Sequence, residues 1–219
     1  MKKSQITIAI NKGRILQEAL PLLARSGIVP CRDPLTSRQL ILSTNIADIR
    51  MTVMRGMDVP VHVGHGSVEL GIVGKDVLLE IDDTSFYEPL DLGISKCRLV
   101  RAAPPGKEIG TGCHGRVGTK FVNTARQYYP AKGIRAEIIK LHGSVEITPA
   151  LNLADEIVDL VQTGKTLESN GLVVIDTLSE ISARVIVNKE AMKCRFAQLT
   201  ELLSQLRTGM TNTTDENPH

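Results

Sequence analysis

An α/β protein with two similarly sized sets of strands and helices is the fold class that the sequence predicts. Short apolar runs of strand length alternate with helical stretches, the pattern of parallel or mixed sheets covered by helices. A Pro- and Gly-rich interruption, Ala102-Ala-Pro-Pro-Gly-Lys-Glu-Ile-Gly-Thr-Gly-Cys-His-Gly115, divides the elements into the two sets. The 219 residues suffice for one large domain or for two lobes of about 100 residues each.

Strand-like runs lie at residues 6–10, 49–54, 70–73, 98–102, 116–119, 136–140, 156–161 and 172–175. Helical spacing marks residues 13–26, 58–64, 75–80, 122–131 and 144–151, the last with Ser144 as N-cap. Residues 165–169 form a shorter helical possibility. The stretch 189–206 carries an apolar stripe of Met192, Phe196, Leu199, Leu202, Leu203 and Leu206, which spacing alone docks on neither lobe in preference. The polar run 208–219 is expected to be a disordered tail.

With 42% hydrophobic and 23% charged residues, the chain reads as an ordinary soluble globular protein. Aromatic residues at 3%, with no Trp, argue against stacking platforms for single-stranded nucleic acid. A net charge of +2 is too small for a general nucleic-acid or membrane surface. Cys31, Cys97, Cys113 and Cys194 show no CxxC spacing. A basic N-terminal tip without a long apolar run, and no stretch long enough to span a membrane, suggest a cytoplasmic protein with reduced, mostly buried thiols.

Two short motifs mislead. Gly110-Thr-Gly-Cys-His-Gly115 matches the dinucleotide-binding pattern, but a strand and no helix is expected after it. Gly164-Lys-Thr166 resembles the end of a P-loop, yet Asp159 stands where the first glycine is required. A third segment fits a ligand better. The strand-like run ending in Asp159-Leu-Val161 feeds Gln-Thr-Gly-Lys-Thr166 and a possible helix. Backbone amides of such a turn cradle phosphate, Thr163 and Thr166 add hydroxyls, and Gly164 permits close approach. Asp159 can accept hydrogen bonds from sugar hydroxyls.

At this point the sequence resembles the ATP phosphoribosyltransferase family of histidine biosynthesis, in its short form without a C-terminal regulatory domain. The resemblance is carried by Asn11-Lys-Gly-Arg-Ile15, Asp58-Val-Pro60, Gly71-Ile-Val-Gly-Lys-Asp-Val-Leu78 and Thr119-Lys-Phe-Val-Asn123. Ile139-Lys-Leu-His-Gly-Ser-Val-Glu146, Ala154-Asp-Glu-Ile-Val-Asp-Leu-Val-Gln-Thr-Gly-Lys-Thr-Leu167 and Asn170-Gly-Leu172 complete it. It implies a two-lobe fold like type II periplasmic binding proteins, with a cleft between the lobes. The first lobe would comprise residues 1–95 and a returning helix in 187–207, and the second residues 96–186. The implied reaction joins N1 of ATP to C1 of phosphoribosyl pyrophosphate and releases pyrophosphate. Magnesium would come with the substrate phosphates. A regulatory subunit, paralogous to histidyl-tRNA synthetase, would join a homodimer of this chain in a larger assembly.

Carried residue by residue, the resemblance makes Arg32 and Arg55 the catalytic candidates. A guanidinium stays protonated and grips phosphate bidentately, as loss of a pyrophosphate leaving group requires. The rival reading pairs them with Asp33 or Asp58 on the surface. Lys12, Gly13 and Arg14 are assigned to ATP or shared phosphate binding. Asp155, Asp159, Thr163, Gly164, Lys165, Thr166 and Leu167 belong to the phosphoribosyl pyrophosphate loop. Asp76 and Glu146 are further candidates, with a helix-terminal charge and a capping box as their plainer explanations. No side-chain metal site is expected. Asn11, Val63-Gly-His-Gly66 and Glu69 depart from the family's usual residues. The competing functions are a non-catalytic binding module of the same fold and a phosphoribosyltransferase that uses a free base.

Overall fold

In a computed structural model, residues 5–83 and 85–211 are described. They form two compact units. The first takes residues up to Leu78, Asp82–Ser95 and the chain from Ser182 onward; the second takes Leu79–Ile81 and Lys96–Ile181.

The first unit begins with strand β1 (Ile6–Asn11), helix α1 (Arg14–Arg25), strands β2 (Ile41–Ser43) and β3 (Ile49–Met54), and helix α2 (Asp58–Gly64). Strand β4 (Leu70–Gly74), helix α3 (Lys75–Leu79) and strand β5 (Phe86–Asp91) follow. The second unit holds β6 (Cys97–Ala103), β7 (His114–Thr119), α4 (Val122–Ala131), β8 (Arg135–Lys140), β9 (Glu156–Val161), α5 (Lys165–Ser169) and β10 (Val173–Ile181). The chain then returns to the first unit as β11 (Ala183–Asn188), α6 (Lys189–Cys194) and α7 (Phe196–Thr211).

Each unit contains one sheet, and the two sheets share a plan that no sequence repeat announces. The first runs β2-β3-β1-β4-β11-β5 and the second β10-β6-β9-β7-β8. In the first, β1 lies between two parallel neighbours, β3 and β4, and β11 joins β4 antiparallel. In the second, β7 lies between parallel β8 and β9, and β6 joins β9 antiparallel.

Helix α1 buries Ile15, Leu16, Ala19, Leu22 and Leu23, a stripe at three- and four-residue spacing that fits against the sheet. Leu199, Leu202, Leu203 and Leu206 of α7 enter the same core. Gly209 lets α7 approach α1 closely, since a methyl group there would strike the Ser26 hydroxyl and the Leu22 carbonyl. Gly71 plays the same part between β4 and α2, where a Cβ would sit 2.7 Å from Val59 and 2.9 Å from Val63. Gly71→Ala is therefore expected to cost about 1–3 kcal/mol by overpacking, read as a lowered urea midpoint. An unchanged midpoint would show that α2 yields freely.

Several expectations are corrected. The segment 144–151 is a single 3-10 turn, Val145–Ile147, followed by irregular turns. Ser144 is left-handed (φ 50°) and makes no side-chain cap, and Pro149 follows too closely for a helix to continue. The stretch 189–206 is two helices that part at Arg195 (φ −131°), whose guanidinium reaches Glu69 at 3.0 Å and the Gln5 carbonyl. Phe196 consequently leaves the stripe and lies 63% exposed. Helix α7 continues past Arg207 to Thr211, so the tail expected from 208 does not begin there; residues 212–219 lie outside the described residues. The four cysteines are free, and Cys31, Cys113 and Cys194 are exposed, against the expectation of burial. They sit in turns and at a helix end, where no core packs over them.

Candidate active site

In the second unit β7 connects through α4 to β8 on one side, while β9 enters on the other. Strand order thus reverses at β7, and open parallel sheets bind ligands outside the carboxyl ends at such a point. The ends that meet there belong to β7 and β9. Lys120 follows the first, and Asp159 and the 162–166 loop close the second.

A phosphate at this edge has two helix N-termini to choose from, and one is already filled. The Glu80 carboxylate accepts from the backbone N–H groups of Asn123 (2.9 Å) and Thr124 (2.8 Å) and from the Thr124 hydroxyl, capping α4 from within the protein. The β9–α5 turn stays open. Gly164 takes a left-handed conformation there (φ 86°, ψ −13°), which a side chain would strain. Thr163, Lys165 and Thr166 are exposed, and their side chains have no partner among the described residues. Leu167 differs: it is 4% exposed and packs with Val145, Ile157, Val161 and Leu172, so it anchors α5.

Asp159 lies on the same face of β9 as that cluster. Its Oδ1 accepts from the Leu160 N–H (2.8 Å) and stands 3.8 Å from Lys120 Nζ. Burial pushes its pKa above the ordinary carboxylate value; the Leu160 N–H and Lys120 pull it down, and Glu146 pushes it up. Glu146, on the 3-10 turn, is thus brought to bear on Asp159 instead of completing a capping box. Asp155 is not brought to the loop. It stands before the amino end of β9, where it accepts from the Arg116 N–H (2.7 Å) and faces the Arg116 guanidinium. A six-residue strand separates it from the turn by about 20 Å.

Lys120 was missed by sequence reasoning. A single lysine after a strand carries no spacing signal, and only the strand order shows that it adjoins Asp159.

The first unit has the same reversal at β1, whose neighbours β3 and β4 both run parallel to it. Gly13 (φ 99°) turns the chain from β1 into α1, which has no acidic residue in its first turn and no side-chain N-cap. The Lys12 side chain is free of partners among the described residues. Arg14 is engaged: it donates to the Ser95 carbonyl at 2.6 Å and lies 3.6 Å from Glu18. Beyond β4, Asp76 is in the first turn of α3 and folds back over Gly74, while the adjoining Lys75 is tied to Glu88.

Arg32 and Arg55 are exposed, and neither has an ion-pair partner among the described residues. Neither forms the expected surface pair with Asp33 or Asp58. Asp33 spends its carboxylate on the Leu35 N–H and the Thr36 hydroxyl. Arg32 lines an open pocket of about 370 Å³ with Asp33, Thr36, Ser37, Arg38 and Gln39. Arg55 begins the turn between β3 and α2, beside Gly56, against which the Asn11 side chain packs. The Gly110–Gly115 segment is a turn leading into β7 with no helix, so its dinucleotide pattern is empty.

A family model described as ATP phosphoribosyltransferase matches residues 55–208. A protein of Methylococcus capsulatus named ATP phosphoribosyltransferase is 52% identical over 201 residues, which cover 92% of this chain and 94% of that protein. One of Halorhodospira halophila with the same name is 50% identical over the same shares. Among solved structures, the ATP phosphoribosyl transferase (HisG:HisZ) complex from Thermotoga maritima contains a chain that matches with a TM-score of 0.82 at 33% identity. The match covers 95% of this chain and 100% of that one. The periplasmic aliphatic sulphonate binding protein SsuA of Escherichia coli matches with a TM-score of 0.61 at 12% identity over 97% of this chain and 75% of its own. That likeness speaks for the fold alone, and it agrees with the periplasmic-binding-protein type expected from the sequence. With the model spanning most of the chain and half-identical relatives matched almost end to end, the chain belongs to the ATP phosphoribosyltransferase family.

Proposed function

We propose that the chain is the catalytic subunit that joins N1 of ATP to C1 of phosphoribosyl pyrophosphate, the first step of histidine biosynthesis. The observation that carries this reading is the open β9–α5 turn. Thr163, Lys165 and Thr166 stand unpartnered around left-handed Gly164, next to a carboxylate with acceptor capacity to spare. Such a site suits a ligand with a phosphate at one end and sugar hydroxyls at the other.

In the reaction the N1 lone pair forms the new bond to C1 while the bond from C1 to the pyrophosphate oxygen breaks. Adenine N1 is nucleophilic without a base, so the protein's work is positioning and charge stabilisation. The turn holds the 5-phosphate and Asp159 receives the ribose hydroxyls. Arg32 and Arg55 would supply positive charge to the departing pyrophosphate, and Lys12 with the Gly13 turn and Arg14 would receive ATP phosphates. Among the described residues no group of three His, Cys, Asp or Glu could hold a metal. Magnesium would enter on the substrate phosphates and lower the charge of the leaving group.

The Thermotoga structure is a HisG:HisZ complex, which supports a regulatory partner here as well; that partner would join a homodimer of this chain. None of the described helices is long and apolar enough to cross a membrane. A cytoplasmic location suits a biosynthetic enzyme of this family.

The test is to mix the full chain with ATP, phosphoribosyl pyrophosphate and magnesium, with and without the regulatory partner, and follow the adenine absorbance. A new absorbance from the N1 adduct is expected. No adduct even with the partner would refute the reading, and an adduct with free bases but not ATP would replace it. Thr163→Val should weaken phosphoribosyl pyrophosphate binding by about tenfold, the worth of one hydrogen bond to a charged group. Unchanged affinity in calorimetry would remove Thr163 from the site.

A further inference from the structure

Lys120 lies in the Thr119–Asn123 segment, to which sequence reasoning assigns no role at the site. It is the first residue beyond β7, and its ammonium group stands 3.8 Å from Asp159 Oδ1, across the point where strand order reverses. Its nitrogen also lies 4.8 Å from the centre of the Phe121 ring, a cation–π contact that restrains where the long side chain rests. Asp159 has its Oδ1 committed to the Leu160 N–H and turned toward this lysine. No hydrogen bond to Oδ2 is recorded among the described residues. Of the two charged groups that bear on Asp159, Lys120 favours its ionised form and Glu146 opposes it.

We propose that Lys120 is a positioning residue for the sugar-binding carboxylate: it holds Asp159 ionised and oriented, with Oδ2 free to accept a hydrogen bond from a ribose hydroxyl. The arrangement answers a physical difficulty. A half-buried carboxylate beside a second carboxylate tends to keep its proton, and a protonated Asp159 would lose half its capacity to receive hydroxyls. A cation at 3.8 Å counters both burial and Glu146 without occupying the oxygen that the ligand needs. Lys120 itself is 44% exposed, so its own charge costs little desolvation. The proposal rests on the phosphoribosyl reading and adds to it the residue that prepares the sugar end.

The experiment compares the full-length wild type with Lys120→Met and Lys120→Arg. Carbon-13 NMR would follow the Asp159 carboxyl titration, and steady-state kinetics would be taken from acid to neutral pH. Removing the cation leaves the Leu160 N–H alone to lower the Asp159 pKa against burial and Glu146. In Lys120→Met the Asp159 titration, and with it the acid limb of kcat/KM, is therefore expected to move to higher pH. KM for phosphoribosyl pyrophosphate should rise by about tenfold, with kcat changed much less. Lys120→Arg should restore both the limb and the KM. An Asp159 titration that stays in place in Lys120→Met, or a KM that does not change, would overturn the proposal. If the wild type forms no adduct, the phosphoribosyl reading fails. The NMR titration would then still decide whether Lys120 controls the ionisation of Asp159.

Discussion

Glu156→Gln is expected to lower the stability of the protein by about 3–5 kcal/mol, although it changes no volume in the core. Glu156 is fully buried at the start of β9, and its two oxygens accept four hydrogen bonds. Two come from the Arg101 guanidinium, one from the Ile109 N–H and one from the Tyr129 hydroxyl at 2.9 Å. Arg101 also donates to the Ile109 carbonyl at 2.6 Å and lies over the Tyr129 ring. A guanidinium stays protonated in proteins, and burial raises the Tyr129 pKa, so neither group gives up its proton to relieve the loss of the carboxylate. The variant leaves a charged guanidinium in the core facing an amide that cannot accept as often. Urea denaturation measures the change. A loss below about 1 kcal/mol, the range of an exposed pair, would mean that water enters to replace the carboxylate. The double change Arg101→Met with Glu156→Leu should recover part of the loss only, because the Ile109 N–H and the Tyr129 hydroxyl would remain orphaned.

Arg55→Ala should slow the chemical step by about 10²–10³-fold, the usual cost of removing one preorganised group that faces developing charge. Its stability should change by no more than about 0.5 kcal/mol, since the side chain is exposed and unpartnered among the described residues. Single-turnover kinetics separates that step from substrate binding. Arg55→Lys should recover only a small part of the rate, because an ammonium group lacks the planar fork. Intact turnover in Arg55→Ala would leave Arg55 a solvent-facing residue without a catalytic part.

The residues that the sequence made legible are those whose chemistry is local. The alternation of elements, the helices 13–26 and 122–131, and the Thr-Gly turn after residue 161 follow from spacing and turn residues within a few positions. What stayed hidden depends on partners distant in the chain. Strand β11 follows β10 with only Ser182 between them, because the chain passes from one sheet into the other. The two strands do not pair as a hairpin, so no Gly, Pro or Asn turn marks the boundary. Strand β5 contains Pro89, which an edge strand tolerates but which hides it from a propensity reading. At the site, Asp155 and Asp159 look equivalent four residues apart, yet Asp155 precedes the amino end of β9 while Asp159 lies within the strand, toward the turn. Lys120 and Asp159 are 39 residues apart in the chain and become neighbours only through the order β9-β7-β8.

The placement of β11 between β4 and β5 also sets an order of events during synthesis. The second unit is finished when residue 181 leaves the ribosome, and nearly all of it is one continuous stretch. The first unit, though begun earlier, lacks an interior strand until residues 183–188 emerge, and lacks the α7 face of its core until later still. Contacts this distant in sequence close slowly. The amino-terminal part of the first unit must wait, with β4 and β5 unjoined, for the segment from Ser182 onward. A nascent chain stalled near residue 180 would thus carry a folded second unit and an unfinished first one, which is the stage at which a chaperone would have most to hold.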